Sequence, residues 1–175
     1  MLSRTYRTAI ELPLGVEEVF AFFADPRNLE KITPPELSFE ILTPEPLRIR
    51  EGTLIDYRLR LYGVAFRWRA RISIWAPPDR FVDEQVQGPY KLWIHEHRFA
   101  ARNGSTVIQD EVQYRLPFWP VGELAYPFVR AEVERIFRFW RDAVRRALVR
   151  DQCDTVDAVS PARRSCPGDE GGYRS

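Results

Sequence analysis

Residues 80–99 read RFVDEQVQGPYKLWIHEHRF, and the reading of the fold turns on them. The stretch holds both histidines of the chain, one of its tryptophans, the pair Asp83-Glu84 and, at its centre, Gly88-Pro89. Two extended runs flanking Gly-Pro predict a β-hairpin. As a two-residue turn, Gly88-Pro89 would set Gln87 opposite Tyr90, Glu84 opposite Trp93 and Val82 opposite His95. Just downstream lies Asn103-Gly104, a strong hairpin signal because both residues tolerate the positive φ of a type I′ turn. That turn sets Phe99 opposite Ile108, His97 opposite Asp110, His95 opposite Val112 and Trp93 opposite Tyr114. Side chains alternate with a period of two. One face therefore collects Glu84, Val86, Trp93, His95, His97, Asp110 and Tyr114 among Val, Ile and Phe, and is the expected inner face. Arg98, Glu96, Glu111 and Gln113 fall on the other. A slip of one residue in either turn would invert part of this assignment.

Working outward, Thr53–Tyr62 and Ala65–Trp75 alternate in the same way. Tyr57, Trp68, Ala70, Ile72 and Ile74 oppose Arg58, Arg60, Arg67, Arg69 and Arg71, as in a sheet with one dry and one wet face. Thr5–Leu12 and Ser38–Leu42 predict two further strands, and Thr106–Arg115 completes the set. Val16–Ala24 has acidic residues in its first turn and apolar ones at helical spacing, so it predicts a short helix, with a second over Arg27–Ile32. From Val121 to Val149 apolar residues recur at helical intervals, predicting a long amphipathic helix that starts or kinks near Pro127. Two short helices, a meandering seven-stranded antiparallel sheet and one long C-terminal helix make an α+β fold. We expect one domain over residues 1–150. Residues 151–175, nearly without large apolar side chains, are expected to be a disordered tail. Cys153 and Cys166 both fall there, without ligand-type neighbours.

Composition narrows the function. With 45% apolar, 29% charged and a net charge of +1, the 175-residue chain has neither the basic field of a nucleic-acid binder nor a run of apolar residues long enough to span a membrane. The first residues lack the apolar core of a signal peptide, and a cytoplasmic location is the expectation. Aromatic residues make up 13%, including five tryptophans. A curved sheet gripping a long helix leaves a gap where a small molecule can sit. We therefore expect a hydrophobic or aromatic ligand there, with Tyr57, Trp68, Trp93, Val133 and Phe137 as apolar walls. Glu84, His95, His97, Asp110 and Tyr114 would form the polar end. Buried ionisable groups are costly unless paired. His97 with Asp110 is a natural cross-strand pair, and His95 can reach Glu84 on a diagonal. Three other readings stand beside binding. The pairs can be purely structural. A histidine can act as an acid–base with its carboxylate. Two histidines and two carboxylates can in principle hold a metal, although the surrounding aromatics favour an organic ligand, and no cofactor is expected. The outer arginine row offers an alternative role as a protein-interaction surface.

The segments IELPLGVEEVFAFFADPRNLEKITPP (10–35), FVDEQVQGPYKLWIHEHRF (81–99) and DEVQYRLPF (110–118) resemble the START-like, or Bet v 1-like, superfamily. That superfamily includes polyketide cyclase/dehydrase-like and coenzyme Q-binding proteins. The resemblance covers about Thr5–Val149 and implies a helix-grip fold with an internal cavity. It implies ligand binding, or a cyclase-type activity with His95 or His97 as the candidate catalytic group. Pro127 departs from the pattern and is expected to alter the cavity mouth.

Overall fold

The computed structural model describes residues 3–157. Its strands are β1 (Arg4–Leu12), β2 (Glu40–Ile41), β3 (Leu54–Leu61), β4 (Val64–Ala76), β5 (Arg80–Gln87), β6 (Leu92–Arg102) and β7 (Ser105–Arg115). They form a seven-stranded sheet in the order β1-β7-β6-β5-β4-β3-β2, with every pairing antiparallel. Between β1 and β2 lie helices α1 (Val16–Ala24) and α2 (Arg27–Ile32) and a 3-10 turn, Pro35–Leu37. After β7 come the short α3 (Val121–Leu124) and the long α4 (Tyr126–Asp157). This is the helix-grip α+β arrangement expected from the sequence.

Local chemistry accounts for the elements. In β4, Trp68, Ala70 and Ile72 are buried while Arg67, Arg69 and Arg71 are exposed, so alternation places the apolar row inside. The alternation then breaks. The register shifts between Ile72 and Ile74, and Trp75, not Ile74, comes level with Phe81. Trp75 packs on Phe20 and Phe81, at ring-centroid distances of 5.1 and 5.7 Å. One extra residue in a strand moves everything beyond it to the other face, which is what a β-bulge does. In α4 the buried residues Val133, Phe137, Trp140, Val144 and Leu148 recur at three- and four-residue steps and form one stripe against the sheet. Pro127 is the second residue of α4, where a missing N–H costs no helical bond; the helix starts at Tyr126, beside the proline, rather than carrying it in its interior. The chain is described as helix as far as Asp157. The rest of the expected tail, 158–175 with Cys166, lies outside the described residues. No helix among the described residues is long and apolar enough to cross a membrane.

The interior divides into two apolar groups. One, around Val19, Phe20, Phe81, Phe99, Ile108, Trp140 and Val144, joins α1 and the C-terminal half of α4 to the sheet. The other joins Val112, Tyr114 and Leu116 to Val133 and Phe137, with Tyr90 and Trp93 packed against it. A buried polar set lies at the seam between them.

Candidate functional site

The β6–β7 hairpin has the expected register. Asn103 and Gly104 take φ of 48° and 82°, and His97 faces Asp110, His95 faces Val112 and Trp93 faces Tyr114. The β5–β6 hairpin differs. Asp83 faces His95 and Phe81 faces His97, one residue out of step with a two-residue Gly88-Pro89 turn. Pairing stops at Glu84–Ile94, and residues 88–91 form a longer loop. The Gln85 side chain fastens that loop: its Nε2 donates to the Tyr90 carbonyl (2.7 Å), and the Tyr90 N–H donates to its Oε1 (3.2 Å). Gly88 leaves room for it, since a Cβ there would overlap the Gln85 side chain and displace it. Two backbone bonds to one side chain thus replace the tight turn expected from Gly-Pro.

The slip has a chemical consequence. Glu84, expected inside, lies on the outer face and accepts a hydrogen bond from Arg71 Nη2 at 2.9 Å. Val86, also expected inside, is exposed. Asp83 and Gln85 turn inward in their place. Asp83 Oδ2 lies 3.7 Å from His95 Nδ1 and 3.4 Å from His97 Nε2. On the far side of both rings, Asp110 Oδ1 lies 3.1 Å from His95 Nε2 and 2.7 Å from His97 Nδ1. The His97 contact is close but lies off the axis of a straight hydrogen bond, and Asp110 Oδ2 has no hydrogen-bond partner among the described residues. Two carboxylates and two imidazoles thus alternate around a closed ring, each histidine nitrogen facing an oxygen.

Apolar rings enclose this set. Phe81 stacks on His97 at 4.2 Å, Phe23 approaches it at 6.1 Å, and Phe137 from α4 meets His95 edge-on at 5.3 Å. Burial alone would lower the pKa of His97, but the hydrogen bonding and charge of Asp110 and Asp83 outweigh it and raise the pKa to about 9. Burial alone would raise that of Asp110, but its two histidine neighbours hold it below the usual carboxylate range. The pair is therefore charged at neutral pH in a largely apolar setting.

Beside it, five aromatic residues pack against one another in a box-shaped cluster. Trp68 meets Trp93 edge-on at 5.4 Å and Tyr90 at 5.8 Å, and stacks on Tyr57 at 6.0 Å. Tyr90 packs on Trp93 at 4.7 Å and on Tyr114 at 6.0 Å. Burial, together with the charge of Asp83, pushes the Tyr57 hydroxyl pKa well up. Burial likewise raises Tyr90, whose hydroxyl also feels Tyr114 and Glu132 of α4. Trp68 Nε1 is buried facing the Tyr57 hydroxyl, its one polar neighbour here, and makes no hydrogen bond of good geometry among the described residues. Of the ten residues proposed from sequence, nine lie in or against these two adjoining sets: Tyr57, Trp68, Trp93, His95, His97, Asp110, Tyr114, Val133 and Phe137. Glu84 does not. Asp83, Phe81 and Tyr90 join them unforeseen. Asp83 and Phe81 were hidden by the one-residue slip, and Tyr90 by its assignment to a turn.

Two surface hollows are present. One of ≈ 590 Å³, away from this set, is lined by Arg27, Glu30, Lys31 and Ile41 among others, and one of ≈ 410 Å³ runs over Arg7, Glu96, Arg98 and Glu111 and reaches Asp110. The outer arginine row is partly neutralised. Arg58 pairs with Glu40, Arg69 with Asp56 at 2.6 Å and Arg71 with Glu84.

Comparison with known proteins agrees with the architecture. Residues 12–141 match the family model described as polyketide cyclase / dehydrase and lipid transport. Among solved structures, the Zhui aromatase/cyclase of Streptomyces sp. R1128 is similar over 82% of this chain and 92% of its own, at 17% identity and a TM-score of 0.66. A START superfamily protein of Mycobacterium smegmatis is similar over 80% and 96%, at 12% identity and a TM-score of 0.60. The di-domain aromatase/cyclase StfQ of the steffimycin biosynthetic pathway is similar over 87% of this chain and 52% of its own, at 12% identity and a TM-score of 0.69. At these identities the likeness is one of fold. No curated protein matches the chain by sequence.

Proposed function

The chain belongs to the polyketide cyclase / dehydrase and lipid transport family, and we propose that within it this protein binds a hydrophobic or aromatic small molecule of lipid, isoprenoid or polyketide type. The ligand's ring or chain lies in the box of Tyr57, Trp68, Tyr90, Trp93 and Tyr114, against Val133 and Phe137. Its polar end is turned toward His95, His97, Asp83 and Asp110. The observation that carries this reading is Trp68 Nε1, a buried donor that among the described residues has only the poorly aligned Tyr57 hydroxyl to face, inside an aromatic cluster. An unused buried donor costs about 1–3 kcal/mol, and a ligand oxygen would remove that cost. Tyr90 closes one side of the cluster, on a loop held by the Gln85 side chain and by the Lys91 N–H to the Arg115 carbonyl. Phe118, Trp119, Val121 and Leu124, leading into α4, add an exposed apolar patch of the kind that accompanies binding sites.

Native mass spectrometry of protein isolated from its source tests this. The expected result is a retained apolar compound that is lost in Trp68→Ala. Protein carrying nothing, and taking up no apolar aromatic compound on incubation, would refute it. A second reading, a cyclase-type acid–base reaction, is favoured by the contact of His95 with both carboxylates. It predicts that His95→Gln abolishes turnover of a poly-β-ketone substrate while binding persists.

A further inference from the structure

We propose that Asp83, His95 and His97 form a binding site for a divalent first-row transition ion, with Asp110 positioning the two imidazoles from behind. The geometry points to it directly. Asp83 Oδ2, His95 Nδ1 and His97 Nε2 offer one ligand atom each, all within 4.8 Å of one another. Ligand atoms at about 2.0–2.2 Å from a tetrahedral zinc ion lie about 3.4 Å apart. The Asp83 oxygen stands 3.4 Å from His97 Nε2 and 3.7 Å from His95 Nδ1, close to those edge lengths before any ion draws the groups together.

The remaining nitrogens support the same reading. A histidine that ligates through one nitrogen usually gives the other to a carboxylate, which fixes its tautomer and ring plane. Both rings turn that other nitrogen to one residue here, His95 through a hydrogen bond and His97 through a close contact off the hydrogen-bond axis. His95 Nε2 can donate to Asp110 Oδ1 at 3.1 Å, and His97 Nδ1 lies 2.7 Å from the same oxygen. Asp110 is 2% exposed, and only one of its oxygens is engaged, so it acts as a fixed anchor. Its position leaves the other nitrogen of each ring turned to Asp83. The β-ladder supplies the rigidity: His95 and His97 lie two residues apart on one face of β6, between Asp83 of β5 and Asp110 of β7. The set is also reachable, since the side chains of His95 and Asp83 keep 12% and 18% of their exposure. Three protein ligands leave a coordination position open, as in metal sites that bind or activate a small molecule. That position would face the polar end of the aromatic box. The site itself depends on no organic ligand, so it stands or falls separately from the proposed binding of one.

The test uses untagged full-length protein, stripped with chelator and titrated calorimetrically with Zn²⁺ and spectroscopically with Co²⁺. The expected result is one ion per chain and a tetrahedral Co²⁺ visible spectrum. Asp83→Asn should weaken zinc binding at least about 100-fold, and Asp110→Asn about 10–100-fold with unchanged stoichiometry, as for orienting partners of metal-bound histidines. Glu84→Gln and Cys153→Ser/Cys166→Ser should bind as wild type. Melting curves of the metal-free variants establish that they fold. Should Asp83→Asn fail to fold, ¹⁵N NMR of the wild type decides, because the chain has only two histidines. Zinc must then shift His95 Nδ1 and His97 Nε2. Absence of one-to-one binding, affinity unchanged in a folded Asp83→Asn, loss of binding in the cysteine variant, or unshifted imidazole nitrogens would overturn the proposal.

Discussion

Asp110 is the residue on which the buried set depends most. It is almost wholly enclosed, touches both histidines and carries charge. Removing one partner of a buried ion pair typically costs about 3–5 kcal/mol, because the other charge is left unpaired. We expect Asp110→Asn to lose stability of that order in chemical denaturation and to lower the His97 pKa, read by NMR. The pH dependence of the metal-free protein follows with a definite sign. The folded-state pKa of His97 is raised to about 9 from an ordinary 6.5. Its contribution is therefore complete below about pH 6.5 and is lost as pH rises through about 9. Asp110 is lowered, so its contribution is present above the ordinary carboxylate pKa and is lost as pH falls through its depressed value. Denaturation midpoints across this range should decline on the alkaline side in wild type, and much less in Asp110→Asn. Glu84→Ala removes only an exposed pair with Arg71 and should change stability by less than about 1 kcal/mol. A large loss there would mean that Glu84 faces inward.

At the scale of elements, the contrast between the two hairpins explains what could be read from sequence. Asn103-Gly104 has a backbone requirement that sequence states directly, a positive φ at both residues, and the β6–β7 register followed from it. Gly88-Pro89 carries no such instruction. Its loop is set by the Gln85 side chain reaching two backbone groups of Tyr90, a tertiary choice that periodicity does not encode. The same limit hid the bulge in β4. Alternation places Ile74 inside, while packing against Phe20 and Phe81 selects Trp75. The histidines and Asp110 were thus legible as an inward-facing group, whereas the acid completing it, Asp83, was not. Gly88→Ala tests the clamp. The added methyl displaces Gln85, and we expect a loss of about 1–3 kcal/mol, typical of overpacking. Amide exchange should be faster at Tyr90, whose N–H is held by Gln85. Unchanged protection at Tyr90 would show that the loop is held by something other than Gln85.

For the whole molecule, the seven antiparallel strands, the two short helices and the long gripping helix were readable from hydrophobic period and turn chemistry, because each repeats over many residues, whereas the pairing of β1 with β7 was not. How the interior is filled was not, since it depends on which rings meet. The histidine–aspartate set lies between the two apolar groups of the core and the aromatic cluster adjoins the second of them, and a ligand held there would join sheet to α4. Saturation at about 100 times the dissociation constant should then stabilise the fold by about 2.7 kcal/mol, seen as a rise in melting temperature. The most direct measurement is a titration with 2-hydroxyanthraquinone, a flat aromatic phenol, following tryptophan fluorescence in wild type, Trp68→Phe and Trp119→Phe. Saturable one-to-one quenching is expected, weakened about tenfold or more in Trp68→Phe, where a donor and ring area are lost together, and unaltered in Trp119→Phe on the exposed surface. Binding that is absent, or equally strong in Trp68→Phe and wild type, would contradict it.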